Sequence, residues 1–277
     1  MVSEALAALG FPAWLADAVP DGRWNAVARV SADHGVEVEV MRPAAQRARL
    51  PRRLREAGIA VGDWVLLDDA HPPAVAAVLP RRGLLVRHAA GEVERPQLLG
   101  AHLDTVLIVT SCTQEFNPRR VERYLTAVRQ SGAEPVVLVN KSDLAADPED
   151  LARQVRRLLA DDERWMLLSA HSDDVVGLLA PWVRPGRTVA LIGSSGVGKS
   201  TLVNALVGQE RMRTGAVRAR DDEGRHTTTH RQLIVLAGGA VLLDTPGMRE
   251  VQLWEDDALD PAAAFRDLQR LAARCRF

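Results

Sequence analysis

An eight-residue stretch, Gly193-Ser194-Ser195-Gly196-Val197-Gly198-Lys199-Ser200, restricts what this chain can fold into more than any other part of it. Its spacing is G-x-x-x-x-G-K-[ST]. The glycines let the backbone curl until successive N–H groups face one concavity, which suits phosphate oxygens. Such a curl needs a strand to deliver it and a helix to receive it. The first helical turn adds free N–H groups and the positive end of the helix dipole. The apolar run Val189-Ala190-Leu191-Ile192 precedes the loop, and residues 199–207 continue in a helical pattern. Within the loop, Lys199 is placed to reach β and γ phosphates, Ser200 to ligate Mg2+ and Thr201 to meet an α-phosphate. A chance glycine-rich turn is the competing reading, and the lysine counts against it. Of the 35 Lys and Arg residues, only Lys141 and Lys199 are lysine. Where arginine is the default, a compact ammonium marks a position that a planar guanidinium would not serve.

The other lysine stands in Asn140-Lys141-Ser142-Asp143, after the apolar residues 136–139. A carboxylate at Asp143 can accept two hydrogen bonds from guanine, at N1–H and at the exocyclic amine. Adenine offers no such pair, and an unpaired buried carboxylate is costly. Lys141 can lay its methylene stem over a base and Asn140 can brace the loop. Alone, four such residues read equally as a strand-end turn; beside a phosphate loop they read as base recognition. Ser169-Ala170 ends the next strand, where the Ala170 N–H could face a base carbonyl oxygen. By itself that pair means nothing.

Asp244-Thr245-Pro246-Gly247 closes an apolar run. Asp244 would hold Mg2+ through water, and the Gly247 N–H would sense a γ-phosphate; an ordinary strand exit is the plain alternative. Residues 209–231 form a polar stretch containing Gly224-Arg225-His226-Thr227-Thr228-Thr229-His230. Loops of this length usually have a task, and Thr228 is the threonine expected on Mg2+. Met248 follows Gly247, where many small GTPases carry a water-orienting glutamine. Methionine cannot orient water, so His226 is the candidate for that role. A solvated loop with a surface histidine is the bland reading.

With 277 residues, 47% of them hydrophobic, the chain has material for two domains and a small third piece. Residues 3–19 read as a short amphipathic helix broken near Gly10 and Pro12. Segments 24–30, 36–41, 63–67, 74–79 and 84–88 read as five short strands, and such a set suggests a small barrel, an OB-fold first. From about residue 100 strands alternate with helices: strands at 103–110, 135–140, 165–169, 188–192, 232–236 and 240–244, helices at 118–131, 147–160, 173–180 and 199–207. That alternation predicts an α/β sheet with helices on both faces. The fold class is therefore multi-domain: residues 1–98 a helix plus an all-β OB-fold barrel, 99–255 an α/β P-loop domain, 256–277 a C-terminal helical segment that would dock on something. Residues 42–55 carry six arginines (42, 47, 49, 52, 53 and 55) and no acid. In a barrel loop this is a phosphate-contact surface, or else a solvated stretch in an arginine-rich chain. The net charge of −1 gives no global sign of nucleic acid. Cys112 and Cys275 make no disulfide framework. No basic leader with an apolar run, and no apolar stretch of membrane length, is evident. A cytoplasmic monomer with no membrane partner is the expectation.

Motif order carries a resemblance. Asn140 to Asp143, then Ser169-Ala170, then Gly193 to Thr201, then His226 to Thr229, then Asp244 to Gly247 is the order of a circularly permuted GTPase. With a barrel ahead of it and Gly-Arg-His-Thr-Thr-Thr-His-Arg inside it, the chain resembles the ribosome small-subunit-dependent GTPase A family (RsgA/YjeQ) over nearly its whole length. The resemblance implies an OB-fold, binding of GTP and GDP with Mg2+, and GTP hydrolysis stimulated by the small ribosomal subunit late in its maturation. The barrel's arginines would then meet ribosomal RNA. It also implies a zinc module reading C-x4-C-x-H-x5-C. Cys275 matches its first ligand and the sequence stops at Phe277; one thiolate cannot hold a four-coordinate zinc, so Cys275 would serve only in a longer chain. Permutation makes Asp244 to Met248 lead straight into the C-terminal segment, which nucleotide state could move. The rival readings are a GTP-responsive RNA-binding module with incidental turnover, a small-molecule P-loop kinase or ATPase, and a permuted GTPase of the large subunit.

Overall fold

The computed structural model describes residues 3–42, 44–87, 97–113, 116–171, 173–208 and 231–244. Expectations for His226, Thr228, Gly247, Met248, Cys275 and the C-terminal helical segment 256–277 lie outside the described residues.

The first helix, α1 (Glu4–Ala8), starts at Ser3, whose hydroxyl accepts the Leu6 N–H at 3.3 Å. It stops at Gly10, which takes the left-handed φ of +80°. A 3-10 turn over Ala13–Ala18 follows. Leu6, Leu9, Phe11, Leu15 and Val19 are buried against Val27 and Trp64, so this segment caps one end of the β-rich half.

Five strands build that half: β1 (Val27–Asp33), β2 (Glu37–Arg42), β3 (Ala44–Arg49), β4 (Trp64–Leu67) and β5 (Val75–Val78). β1 pairs with β2 and with β4, β2 with β3, and β4 with β5, all antiparallel. A parallel bridge between Arg49 and Ala74 joins the two outer strands, so the five close into a ring. Four of the five segments expected from sequence supply ring strands, and the fifth does not. Segment 84–88 does not belong to the ring: β6 (Leu84–Arg87) pairs with β7 (Gln97–Ala101) in a separate two-stranded sheet. The fifth ring strand is β3, inside the stretch expected to be an arginine-rich loop, and helix α2 (Arg52–Ala57) follows it. β3 buries one side chain, Ala48. It therefore lacks the alternation of large apolar residues by which strands are recognised. Its conformation comes from β2, which pairs with it from Glu37↔Arg49 to Arg42↔Ala44.

The second half follows the expected rhythm. β8 (Thr105–Ser111), α3 (Pro118–Gln130), β9 (Glu134–Asn140), α4 (Pro148–Leu158), β10 (Arg164–Leu167), α5 (Val175–Leu179), β11 (Thr188–Ile192), α6 (Lys199–Val207), β12 (Gln232–Val235) and β13 (Val241–Asp244) run in order. The strands lie as β10-β9-β8-β11-β13, all parallel, with β12 antiparallel to β13. β12 also touches β1 at Gln232↔Ala32, so one sheet runs through both halves. Alternate residues of β8 serve opposite faces. Val106 and Ile108 pack with Leu125 and Val128 of α3 and Val155 of α4, whereas Leu107 and Val109 pack with Leu179 of α5 and Leu202 of α6. The chain winds outward from β8 through β9 to β10, then returns to the other side of β8 as β11. That reversal opens a crevice above the carboxyl ends of β8 and β11, where ligands bind in sheets of this kind.

Candidate nucleotide site

Every described motif residue lies at this carboxyl edge. Gly193 to Ser200 leave the end of β11, Asn140 to Asp143 the end of β9, and Ser169-Ala170 follow β10. The backbone of Asp244 ends β13, beside β11.

Asn140 ties these pieces together. It is buried, with 2% of its surface exposed. Its Nδ2 donates to the Val197 carbonyl of the glycine loop at 2.8 Å. Its Oδ1 accepts the Ala170 N–H at 2.9 Å. One amide thus uses its donor on one motif and its acceptor on another, a pairing that aspartate or leucine could not reproduce. Gly198 makes room for it, because a Cβ there would lie 2.1 Å from Asn140 Nδ2. Gly193 is held as closely: its Cβ would sit 2.1 Å from the Val109 carbonyl oxygen of β8.

Lys141 adopts φ +64°, uncommon for a residue with a side chain. Its carbonyl accepts the Cys112 thiol at 2.6 Å, and Cys112 N–H donates to Asn140 O at 3.0 Å. Burial raises the pKa of the Cys112 thiol, which keeps its proton available for that bond. Ser142 N–H donates to Leu168 O at 3.1 Å. Asp143 and Leu144 stay exposed on the turn. In the neighbouring loop, Asp173 accepts the Ser169 N–H at 2.6 Å and its own N–H donates back to Ser169 O at 3.0 Å. Sequence reasoning missed the parts played by Cys112 and Asp173; a cysteine at the end of β8 and an aspartate four residues past Ser169 carry no local pattern.

The donor set fits a phosphate chain. Lys199 Nζ curls over the loop and donates to the carbonyls of Gly193 at 2.8 Å and Ser194 at 2.5 Å, with Ser200 and Thr201 in the next two positions of α6. Ser195 and Gly196 form the exposed rim. Gly196 and Gly198 hold φ of +80° and +100°, the turned backbone that aims N–H groups inward. Ser169 Oγ is buried with no partner among the described residues, a polar atom left for a ligand or water. Among the described residues no cluster of three or more His, Cys, Asp or Glu could hold a metal.

The arginines of 42–55 are partly committed within the chain. Arg53 donates to the Ala76 carbonyl of β5 at 2.7 Å, and Arg52 and Arg47 pair with Glu56 and Glu37 on the surface. Arg42 ends β2, Arg47 and Arg49 lie on β3 and the other three on α2, and β3 is the sheet edge opposite β10.

The RsgA GTPase family profile matches residues 78–254. The chain is 47% identical over 242 residues to the small ribosomal subunit biogenesis GTPase RsgA of Xylella fastidiosa (strain 9a5c), covering 87% of this chain and 68% of that relative. To the protein of the same name from Opitutus terrae (strain DSM 11246 / JCM 15787 / PB90-1) it is 46% identical over 246 residues, 86% of this chain and 65% of the relative. Among solved structures, YjeQ from Thermotoga maritima superposes with a TM-score of 0.60 at 25% identity, covering 86% of this chain and 79% of that one. YloQ, described as a circularly permuted GTPase, superposes with a TM-score of 0.58 at 18% identity over 91% and 81%, a likeness of fold. The motif order, the parallel sheet that carries it and these matches agree: the chain belongs to the RsgA GTPase family and is a GTP hydrolase.

Proposed function

We propose that this chain hydrolyses GTP as a factor in small ribosomal subunit biogenesis, the process for which its relatives are named. The carrying observation is Asn140, whose one side chain links the phosphate loop to the two segments assigned to the base. A base bound there and a phosphate chain bound on Gly193 to Ser200 would belong to one molecule. Exposed Asp143 would accept from the guanine edge, and Lys141 would cover the ring. The Ala170 N–H is donated to Asn140 here, so it would reach a base oxygen by sharing that bond.

Catalysis in this class is positioning and charge stabilisation. The loop N–H groups and Lys199 would hold the phosphates, and His226 would orient water. Ser200, Thr228, Asp244 and the Gly247 N–H would complete the γ-phosphate end. Bound Mg2+, held by Ser200, Thr228 and Asp244, would neutralise phosphate charge. Residues 1–98 would form an OB-fold domain whose arginine face meets ribosomal RNA. The ring order β3-β2-β1-β4-β5, closed by a parallel bridge, supports that assignment. Residues 99–255 would be the GTPase domain and 256–277 an appended helix. No helix among the described residues is long and apolar enough to cross a membrane; a cytoplasmic monomer working on the subunit is the reading.

The test is GTP turnover with and without purified small subunits, with ATP as competitor. Stimulation by subunits and indifference to excess ATP are expected. Turnover unchanged by subunits would favour an RNA-binding module with incidental hydrolysis, and strong ATP competition would remove Asp143 from base selection.

A further inference from the structure

Among the described residues, Arg29 and Asp63 are charged side chains that lie wholly inside the molecule and outside the nucleotide site. Arg29 of β1 has 0% of its surface exposed. Its guanidinium donates to four acceptors on four separate segments. Nη1 reaches Leu9 O at the end of α1 (2.5 Å) and Thr188 Oγ1 on the first residue of β11 (2.9 Å). Nε reaches Gly62 O before β4 (3.2 Å), and Nη2 reaches His102 O between β7 and β8 (3.3 Å). None of the four is a carboxylate. Burial lowers its pKa to about 10, against the opposing pull of Asp104 and Asp63, so the charge persists at neutral pH.

A buried charge hydrogen-bonded to carbonyls and a hydroxyl, with the Trp64 ring 5.2 Å from its centre, is an expensive way to hold segments together. Apolar packing would serve stability as well or better. What the guanidinium adds is geometry: a planar fork whose donors fix several acceptors in direction as well as distance. The backbone closes around it. A Cβ on Gly10 would lie 2.7 Å from Gly186 O and 3.1 Å from Arg29 Nη1. Thr188 is fixed from its other side, its N–H donating to Asp104 Oδ2 at 2.7 Å. From Thr188 the strand runs, buried throughout and bonded on both edges, to Ile192, and Gly193 follows. Its length, roughly 16 Å at strand rise, joins the ring of β1 to β5 to the glycine loop by a rigid rod.

We infer that Arg29 is a positioning residue that sets the N-terminal barrel against the strand carrying the phosphate loop, and that its bond to the Thr188 hydroxyl couples nucleotide binding to the barrel. This rests on reading Gly193 to Ser200 as the nucleotide site. Coupling of this kind is reciprocal: if a nucleotide steadies the barrel, a partner on the barrel alters nucleotide affinity by the same factor.

Amide hydrogen exchange of the full chain, with and without GDP and Mg2+, tests it. In the wild type, GDP is expected to slow exchange in residues 193–207 and, by about fivefold or more, in residues 27–33. Thr188→Val keeps the shape and removes the hydroxyl; it should keep protection at 193–207 and lose it at 27–33. Thr188→Ser restores the hydroxyl and should restore the coupling, which a merely destabilised strand would not do. If Thr188→Val does not fold, Arg29→Lys, which keeps the charge but not the fork, takes its place with the same expectation. Equal barrel protection in variant and wild type, or none in the wild type, overturns the inference. Absence of protection at 193–207 in the wild type would instead remove the nucleotide reading and this inference with it.

Discussion

At the scale of single residues the site rests on close approaches. Asn140→Ala would leave the Val197 carbonyl and the Ala170 N–H without their partner. At about 1–3 kcal/mol for each group left unsatisfied, the melting temperature should drop and GDP affinity should fall at least about tenfold. Thermal melts and GDP titration read this, and an unchanged pair of values would discard the bracing role. The glycines make a graded prediction. Gly193→Ala drives a Cβ into the backbone oxygen of Val109, and Gly198→Ala drives one into Asn140. Gly196 has φ +80° but nothing within 4 Å of its virtual Cβ. Gly196→Ala should therefore cost only left-handed strain, about 1–2 kcal/mol, and bind GDP better than the other two variants. Equal loss in all three would mean that backbone strain, not crowding, governs the loop.

At the scale of elements, α4 and β3 are opposite cases. α4 carries its own instructions: the Asp147 side chain accepts the Asp150 N–H at 2.9 Å, Pro148 opens the first turn, and Leu151, Val155 and Leu158 fall on one buried face. Asp147→Ala should cost about 1 kcal/mol and Val155→Ala about 2 kcal/mol, measured by urea denaturation. β3 carries almost none. Only Ala48 points inward, and Arg47 has a side chain 69% exposed. Arg47→Ala should stay within about 0.5 kcal/mol of wild type. Ala48→Glu should cost about 2 kcal/mol or more by placing a carboxylate among Val30, Val38 and Val65. A tolerated Ala48→Glu would mean that this strand is not held as described.

At the scale of the whole molecule, the junction of the two halves sets an acid limit on stability. His102 lies in the connection between β7 and β8, stacked on Trp14 at 5.9 Å between ring centroids, with Nε2 buried and unpartnered among the described residues. Burial, then the nearby Arg29 and Arg81 cations, lower its pKa to about 4 from an ordinary 6.5. Below pH 6.5 the unfolded chain takes up a proton that the folded chain refuses, so folding stability rises with pH across that window. Stability is full above about 6.5 and is lost as pH falls toward 4, by roughly 2–3 kcal/mol from this group. His102→Asn, which tolerates the left-handed φ of +55°, should flatten the melting temperature between pH 6.5 and 4.5. An unaltered acid slope in that variant would place the sensitivity elsewhere.

The nucleotide half was legible in the linear chain because its signals are local. A glycine loop between an apolar strand and a helix, an Asn-Lys-Ser-Asp turn and capped amphipathic helices each report on residues a few positions apart, and β11 and α6 stand where those signals put them. Four of the five ring strands were legible too, but β3 was not, since a strand burying one alanine has no period to read. Three-dimensional structure alone decided which distant groups meet. Asn140 finds Val197 across 57 positions, and Arg29 finds Thr188 across 159. A hydrogen bond between groups that far apart leaves no spacing in the sequence, because the chain between them is free until the sheet assembles and brings the two ends to one place.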